Sequence, residues 1–495
     1  MGPEPCRDVR RRAPRPRRRP RGPRHAHVQA PHPAPPRGRE GRPVSATTAA
    51  ATEGETSAPG ARAVAGHRAW FPVAAVMFAV AWGGNEFTPL LVMYREVGHF
   101  SAVTVDALLA AYVLGIVPAL LLGGPLSDRY GRRPLLLPAA PVALAGSLVL
   151  AAGESSAALL AAGRVLCGVA LGLVMAVGTT WIKELTDAAA RTSGTSDGGS
   201  GARRAGLSLT LGFLVGAGVA AVLAQWAPGP THTAYLLHAA LAAAAGVWVL
   251  RVPETRPAPD AAVRCRLRDD LRVPAVAHRR FLRVVVPVAP WVFGCAGSAY
   301  AVLPGLVSAS AGGAPIAFSG LMTVLALGCG VGIQVLGRLI DTRHSARASV
   351  VAMTIVVVGM GLGAVASARL DLVTALLAAM VLGAGYGLAL VAGLSEVQRI
   401  ATPDDLAGLT AVYYSLTYLG FFVPVALAAL SVRWTYTQMF LGGLVLAALC
   451  LAVVALAWRA HLPTGEHGTE PAAPAETDRT APTGANGALR ASRMG

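Results

Sequence analysis

Gly123-Gly124-Pro125-Leu126-Ser127-Asp128-Arg129-Tyr130-Gly131-Arg132-Arg133-Pro134 is a charged island between two apolar runs. Ala102 to Leu122 precedes it and Leu135 to Gly153 follows, each long and apolar enough for a helix that crosses hydrocarbon. The island must then sit at a membrane surface as a tight turn. Gly124 is expected to let backbones approach, Gly131 to permit positive φ, and Pro125 and Pro134 to punctuate the helix ends. Arg129, Arg132 and Arg133 put that surface on the cytoplasmic side, because short Arg-rich loops stay inside. Asp128, set among them, can accept several charge-assisted hydrogen bonds.

Composition agrees with a membrane location. The 495 residues are 54% hydrophobic and only 14% charged, poor material for soluble domains. A net charge of +17 raises the question of nucleic acid, but 15 of the 43 Lys and Arg residues fall within 1–69 and most others in alternate loops. Charge here sets topology, and no nucleic-acid partner is expected. The six cysteines are scattered without a C-x-x-C or a nearby His cluster, so they read as small hydrophobes and neither a metal nor a cofactor is expected. No P-loop, paired catalytic carboxylates or nucleophile elbow is present, which argues against an enzyme and against ATP-driven transport.

Twelve apolar spans follow from Trp70, at about 70–92, 102–124, 135–153, 157–182, 204–226, 232–251, 283–308, 316–337, 348–368, 372–397, 404–429 and 434–458. With both termini in the cytoplasm, the five inner loops, counted with the span-end residues Arg204, Arg251 and Arg283 beside them, hold 20 Lys or Arg residues against three in the outer loops, namely Arg95, Arg369 and Arg433. The expected organisation is a disordered basic arm (1–69), a six-helix bundle (70–252), a cytoplasmic linker (253–282), a second six-helix bundle (283–460) and a disordered tail (461–495). The Arg-rich arm and linker suit solvent or the anionic inner leaflet.

The spacing Gly124-x-Leu126-x-Asp128-x-x-Gly131-Arg132-Arg133 resembles the loop between helices 2 and 3 of the major facilitator superfamily of secondary transporters. Val252-Pro253-Glu254-Thr255 resembles a sequence often found where helix 6 of that superfamily ends. The resemblance implies an all-α membrane protein of twelve transmembrane helices in two pseudo-symmetric bundles, monomeric, in the plasma membrane, moving a small molecule by alternating access. It also implies that Asp128 latches the cytoplasmic side by reaching the start of helix 11, near Thr402-Pro403-Asp404. An internal repeat points the same way. At an offset of about 215, Pro72-Val73-Ala74, Phe78, Pro89 and Leu91 match Pro287-Val288-Ala289, Phe293, Pro304 and Leu306. Gly168, Gly172 and Gly178 likewise match Gly383, Gly387 and Gly393, and Gly337-Arg338-Leu339-Ile340-Asp341 is a faded copy of the opening motif.

Ionisable residues inside apolar spans are functional candidates, because an unpaired charge in hydrocarbon is costly. Glu86, in Trp82-Gly83-Gly84-Asn85-Glu86-Phe87-Thr88-Pro89, and Arg164, in the fourth span, fall at similar depth and are expected to pair. Burial favours the neutral acid and a neighbouring Arg favours the carboxylate, which is what a proton-coupling site needs. Arg164-x-x-x-Gly168 also resembles the superfamily's helix 4 motif, whose Arg is associated with proton or substrate coupling. Asp106 is a second protonatable candidate or a solvated group near the headgroups; His238 and Glu396 are expected to be structural.

Gly212-x-x-x-Gly216-Ala217-Gly218 resembles the antiporter signature of proton-linked exporters, with Ala217 in place of its proline, and reads equally as a packing seam. Trp82, Asn85, Tyr112, Tyr300, Tyr386 and Tyr414 are the candidate cavity residues, and their mix of rings and hydroxyls suits an amphipathic organic molecule. The functional expectation is proton-coupled efflux of such a compound; nutrient import on the same fold and a non-transporting sensor are the alternatives. A fluorescent protein fused after Gly495 should therefore fluoresce and an alkaline phosphatase fused there should stay inactive. The opposite result would reverse the orientation.

Overall fold

The structure, a computed structural model, describes residues 68–193, 199–256, 273–342, 344–402 and 405–460. The expected arm over 1–69 lies outside these apart from its last two residues, as do residues 257–272 of the expected linker and the tail at 461–495. The described residues are helical, with one isolated bridge between Thr342 and Ser345.

In chain order the helices are α1 (Phe71–Asn85), α2 (Leu91–Glu96), α3 (Ala102–Tyr130), α4 (Arg132–Ala152), α5 (Ala157–Arg191), α6 (Ser200–Trp226) and α7 (Thr233–Val249). Then come α8 (Phe281–Ala311), α9 (Pro315–Ile340), α10 (Arg347–Arg369), α11 (Leu372–Ile400), α12 (Leu406–Leu430) and α13 (Tyr436–Leu456). Among the described residues ten helices are long and apolar enough to cross a membrane, and α1 and α7 are shorter apolar helices. Large apolar side chains such as Leu114, Val247, Val335 and Leu456 are exposed around the bundle, where lipid rather than water would cover them.

The opening motif departs from its expected geometry in two ways. Pro125 lies inside α3, which runs on to Tyr130, so Asp128 and Arg129 occupy the helix's last turn. An interior proline removes one backbone hydrogen bond but need not end a helix; the end comes at Gly131, whose φ of 100° favours glycine. Gly124 is not a close-approach position either. A Cβ there would meet nothing within 4 Å, whereas one on Gly123 would lie 2.9 Å from Ala176 Cβ.

The repeated glycines do bring helices together, and in equivalent ways. A Cβ on Gly168 of α5 would lie 2.2 Å from Tyr112 O of α3, and one on Gly383 of α11 would lie 2.1 Å from Ala326 O of α9. Gly115 and Gly330, also 215 residues apart, complete the same two seams. Small residues gain contact here because lipid supplies no hydrophobic drive between helices. Gly212 and Gly216 form a third seam, on which Phe78 and Trp82 of α1 pack.

Four helix starts on the face away from the Arg-rich loop are capped by side chains, each satisfying an otherwise orphan N–H. Ser101 accepts from Thr104 N at 3.1 Å, Ser156 from Leu159 N at 3.4 Å, and Thr435 forms a capping box with Gln438. Asp371 accepts from Thr374 N at 2.9 Å and from Thr374 Oγ1 at 2.6 Å; these bonds hold its carboxyl below the usual range. Gln225 at the end of α6 does the same for a different helix, accepting from Ile316 N and Ala317 N at 3.0 and 3.1 Å. That ties α6 to the start of α9. Tyr418 of α12 reaches Met175 of α5 at 3.2 Å, a second link between the first and last six spans.

Gly387→Val should prevent accumulation of folded protein, since its Cβ would lie 2.0 Å from Gly330 O, whereas Gly332→Val, with nothing within 4 Å, should be accepted. Yields from size exclusion in detergent would decide; equal yields would contradict the seam.

Candidate functional site

The first span breaks at its acidic residue. Pro89 lacks an N–H, and Thr88 N turns back to Asn85 O at 3.2 Å instead of continuing the α ladder to Gly84 O. Asn85 holds the turn from both sides, accepting from Thr88 Oγ1 at 2.7 Å and donating to Phe213 O of α6 at 3.1 Å. The helix resumes at Leu91. Gly84 O, released from the ladder, accepts from Arg164 Nη1 at 3.3 Å.

Glu86 sits in this break with no solvent exposure. Its Oε1 accepts from Ser147 Oγ of α4 at 3.2 Å and lies 3.5 Å from His238 Nδ1 of α7. Ser147 Oγ and His238 Nδ1 are 2.5 Å apart, and His238 Nε2 is 2.9 Å from Ala79 O. The imidazole reaches this far because residue 83 is glycine: a Cβ there would lie 2.3 Å from His238 Cε1. Tyr112 Oη takes the matching place over Gly84.

Arg164 is also fully buried, yet it does not pair with Glu86. Its guanidinium lies 4.7 Å from the Phe87 ring centroid and 4.2 Å from that of Tyr112, and its Nε and Nη2 have no hydrogen-bond partner. Each buried unpaired donor costs about 1–3 kcal/mol. A desolvated cation–π contact returns about 2 kcal/mol, so two rings and one carbonyl can hold the charge without a carboxylate. The expected pair is therefore replaced by two neighbouring clusters on either side of the broken turn.

Asp106 is buried rather than solvated, and Arg95 Nη2 donates to its Oδ1 at 2.6 Å. Glu396 is structural as expected: buried Arg280 binds it through Nε and Nη2 at 2.5 and 2.8 Å, and Arg399 at 2.6 Å. Among the described residues no group of three or more His, Cys, Asp and Glu could hold a metal.

On the basic face, Arg132 donates to Asp128 at 2.9 Å, Ser127 at 2.6 Å and Glu184 at 2.9 Å, while Arg256 reaches Asp128 at 2.8 Å. Glu254 accepts from the backbone N–H groups of Arg132 and Arg133 at 3.0 and 2.8 Å, and Thr255 Oγ1 binds Glu184 at 2.5 Å. Arg133 Nη2 donates to Leu250 O at 2.7 Å. The Pro-Glu-Thr segment after α7 thus clasps the signature turn. The expected meeting of Asp128 with the start of α12 falls at residues 403–404, outside the described residues. The last turns of α9 and α11 hold a related arrangement, with Asp341 bound to Arg399 at 2.5 Å.

The cavity candidates divide. Trp82, Asn85, Tyr112 and Tyr300 are buried, and Tyr386 and Tyr414 are half-buried. Asn85 spends its amide on the broken turn, while Tyr386 and Tyr418 join Phe293 and Phe421 in an aromatic stack with centroids 4.6 to 6.0 Å apart. A wholly apolar cavity of about 270 Å³ opens elsewhere, between α3 and α5, lined by Leu114, Pro118, Leu122 and Leu173 among others. It contains none of the six candidates.

Residues 71–311 match the family model described as Major Facilitator Superfamily. None of the curated protein sequences compared matches the chain. Solved structures of the same fold include a peptide transporter POT in complex with sulfate (13% identity, TM-score 0.63, covering 80% of this chain and 96% of that one). Nucleoside transporter NupG aligns at 12% identity and TM-score 0.60, covering 79% and 98%, and a D-xylose-proton symporter at 16% and 0.59, covering 80% and 98%.

If the rings hold Arg164, Phe87→Leu should lower the unfolding temperature in detergent by an amount equivalent to about 1–2 kcal/mol, and Glu86→Gln should not. A drop for Glu86→Gln alone would show that the carboxylate, not the ring, supports the guanidinium.

Proposed function

Residues 71–311 belong to the Major Facilitator Superfamily, a transporter family rather than an enzyme family, and from that premise we propose proton-coupled transport of a small amphipathic organic compound. The working unit is twelve transmembrane helices in two six-helix bundles, 70–252 and 283–460, joined by the linker at 253–282. It acts as a monomer in the plasma membrane, with both termini in the cytoplasm.

The observation that carries the reading is Glu86, a carboxyl group without solvent exposure at the break of a membrane helix, with Oε2 unpartnered. An ionised carboxylate in that setting costs several kcal/mol and protonation relieves that cost, so a change in its surroundings can make it take up or give back a proton. Rocking of the two bundles would expose it to one side and then the other. Arg164, held by rings and by the carbonyl that the break releases, senses whether Glu86 is charged. Asp128, Arg129, Gly131, Arg132 and Arg133 form the cytoplasmic latch, and Asp106 with Arg95 forms a closure on the other side.

Export is the direction this reading favours, since the proposed substrate contacts Trp82, Tyr112, Tyr300, Tyr386 and Tyr414 would offer rings and hydroxyls, which suit a lipid-soluble compound. Import is the second reading, and one observation favours it: Gly212 and Gly216, the remnant of the antiporter signature, serve as a seam for α1.

Inside-out vesicles bearing wild type or Glu86→Gln separate these. A set of dyes, antibiotics, amino acids and sugars is added in turn to vesicles holding an acid-inside pH gradient. Collapse of the gradient by a compound in wild type alone supports exchange through Glu86. Equal collapse in both proteins assigns the proton elsewhere, and proton movement only along with outward passage of the compound supports import.

A further inference from the structure

The coupling residue named above does not act alone: we infer that Ser147 and His238 form a proton relay with Glu86, so that one proton is shared between a carboxyl on α1 and an imidazole on α7. This inference rests on the assignment of Glu86 as the protonation site. From the sequence alone His238 reads as structural and Ser147 as an ordinary membrane-helix serine.

The hydrogen bonds leave few arrangements. His238 Nε2 faces Ala79 O at 2.9 Å, and a carbonyl only accepts, so Nε2 carries a proton in every state. The variable position is Nδ1, 2.5 Å from Ser147 Oγ. When the imidazole is neutral, Nδ1 accepts, so Ser147 must donate to it. The Ser147 oxygen is then free to accept from a protonated Glu86, whose Oε1 is 3.2 Å away. When Nδ1 is protonated it donates to Ser147, and Ser147 donates to an ionised Glu86. The two states interconvert by moving two protons together: Glu86 Oε1 gives its proton to Ser147 Oγ while Ser147 gives its own to His238 Nδ1. Atoms and charge balance, with neutral acid and neutral base becoming carboxylate and imidazolium. Nothing but O–H and N–H bonds changes.

Burial gives the relay its use. All three side chains have no solvent exposure, and an isolated imidazolium or carboxylate there would be strongly disfavoured. Moving the proton inside the triad keeps its net charge unchanged while shifting it from α1 toward α7, across the packing of the first bundle. The other groups facing the triad are Arg164 and Cys167 of α5, Tyr112 of α3, and the Tyr94–Tyr235 hydroxyl pair, 2.9 Å apart, from α2 and α7. Only Arg164 among them is charged at neutral pH, and it bears on the Glu86 end. Gly83 is the positioning residue, because a side chain there would displace the imidazole.

Infrared difference spectra against pH, on full-length protein in lipid nanodiscs, test this without a transported compound. Wild type should show a protonated-carboxyl band that Glu86→Gln removes. In His238→Gln and Ser147→Ala the band should remain, with its midpoint moved by about one pH unit or more, a tenfold change in proton affinity. Nitrogen NMR of histidine-labelled protein should show one imidazole with a protonated Nε2 and a pH-dependent Nδ1, a signal absent from His238→Gln. A Glu86-dependent band with the same midpoint in all three proteins overturns the relay and leaves the Glu86 assignment standing. A band that persists in Glu86→Gln overturns that assignment itself. Circular dichroism on each variant guards against misfolding, and His238→Asn supplies a second, smaller substitution if His238→Gln fails to fold.

Discussion

The break in the first membrane helix is the constraint from which the rest of the site follows. Pro89 withdraws one backbone donor and Thr88 N moves to Asn85 O, which frees the Gly84 carbonyl and halts the helix where Glu86 emerges. A released carbonyl in hydrocarbon must find a donor, and Arg164 supplies it. A buried carboxyl must find partners too, and Ser147 and His238 supply them. The adjacent glycines, 83 and 84, admit the His238 imidazole and the Tyr112 hydroxyl that flank the break. Five helical segments thus converge on one irregular turn, each by a residue chosen for size or for hydrogen bonding.

Two further layers make that turn useful. Small-residue seams join α3 to α5 and α9 to α11 at backbone contact distance, giving each half a closely packed pair of helices. On the basic face, Glu254 and Thr255 fasten the end of α7 to the turn after α3, so the helix carrying His238 is tied to the motif carrying Asp128. In the proposed mechanism α7 itself, a contiguous helix, would connect the triad to the latch.

Much of this was legible in the sequence, for reasons that differ by residue. Span lengths and Arg placement report directly on solvation, so the membrane helices and the basic face could be read without neighbours. Gly168 and Gly383 were legible because a repeat doubles the signal. Glu86 and Arg164 were legible because charge in hydrocarbon is rare, but their separation was not: similar depth along two helices does not fix which way either side chain turns. Ser147 gave no signal, since a serine in Ala-Gly-Ser-Leu is ordinary in a membrane helix. The contact of His238 with Glu86 was not legible because the two lie 152 positions apart in sequence. Pro125 and Gly124 were misread because a proline's effect depends on what the helix packs against, and a glycine's on what stands opposite it.

The central claim is that Glu86 changes its proton occupancy as the protein works. Proton release from the purified wild type on mixing with a compound that collapses the vesicle gradient, followed with a pH indicator in weakly buffered detergent solution, addresses that step directly. The account predicts release from wild type and none from Glu86→Gln when binding of the compound is retained. Equal release from both proteins would contradict it.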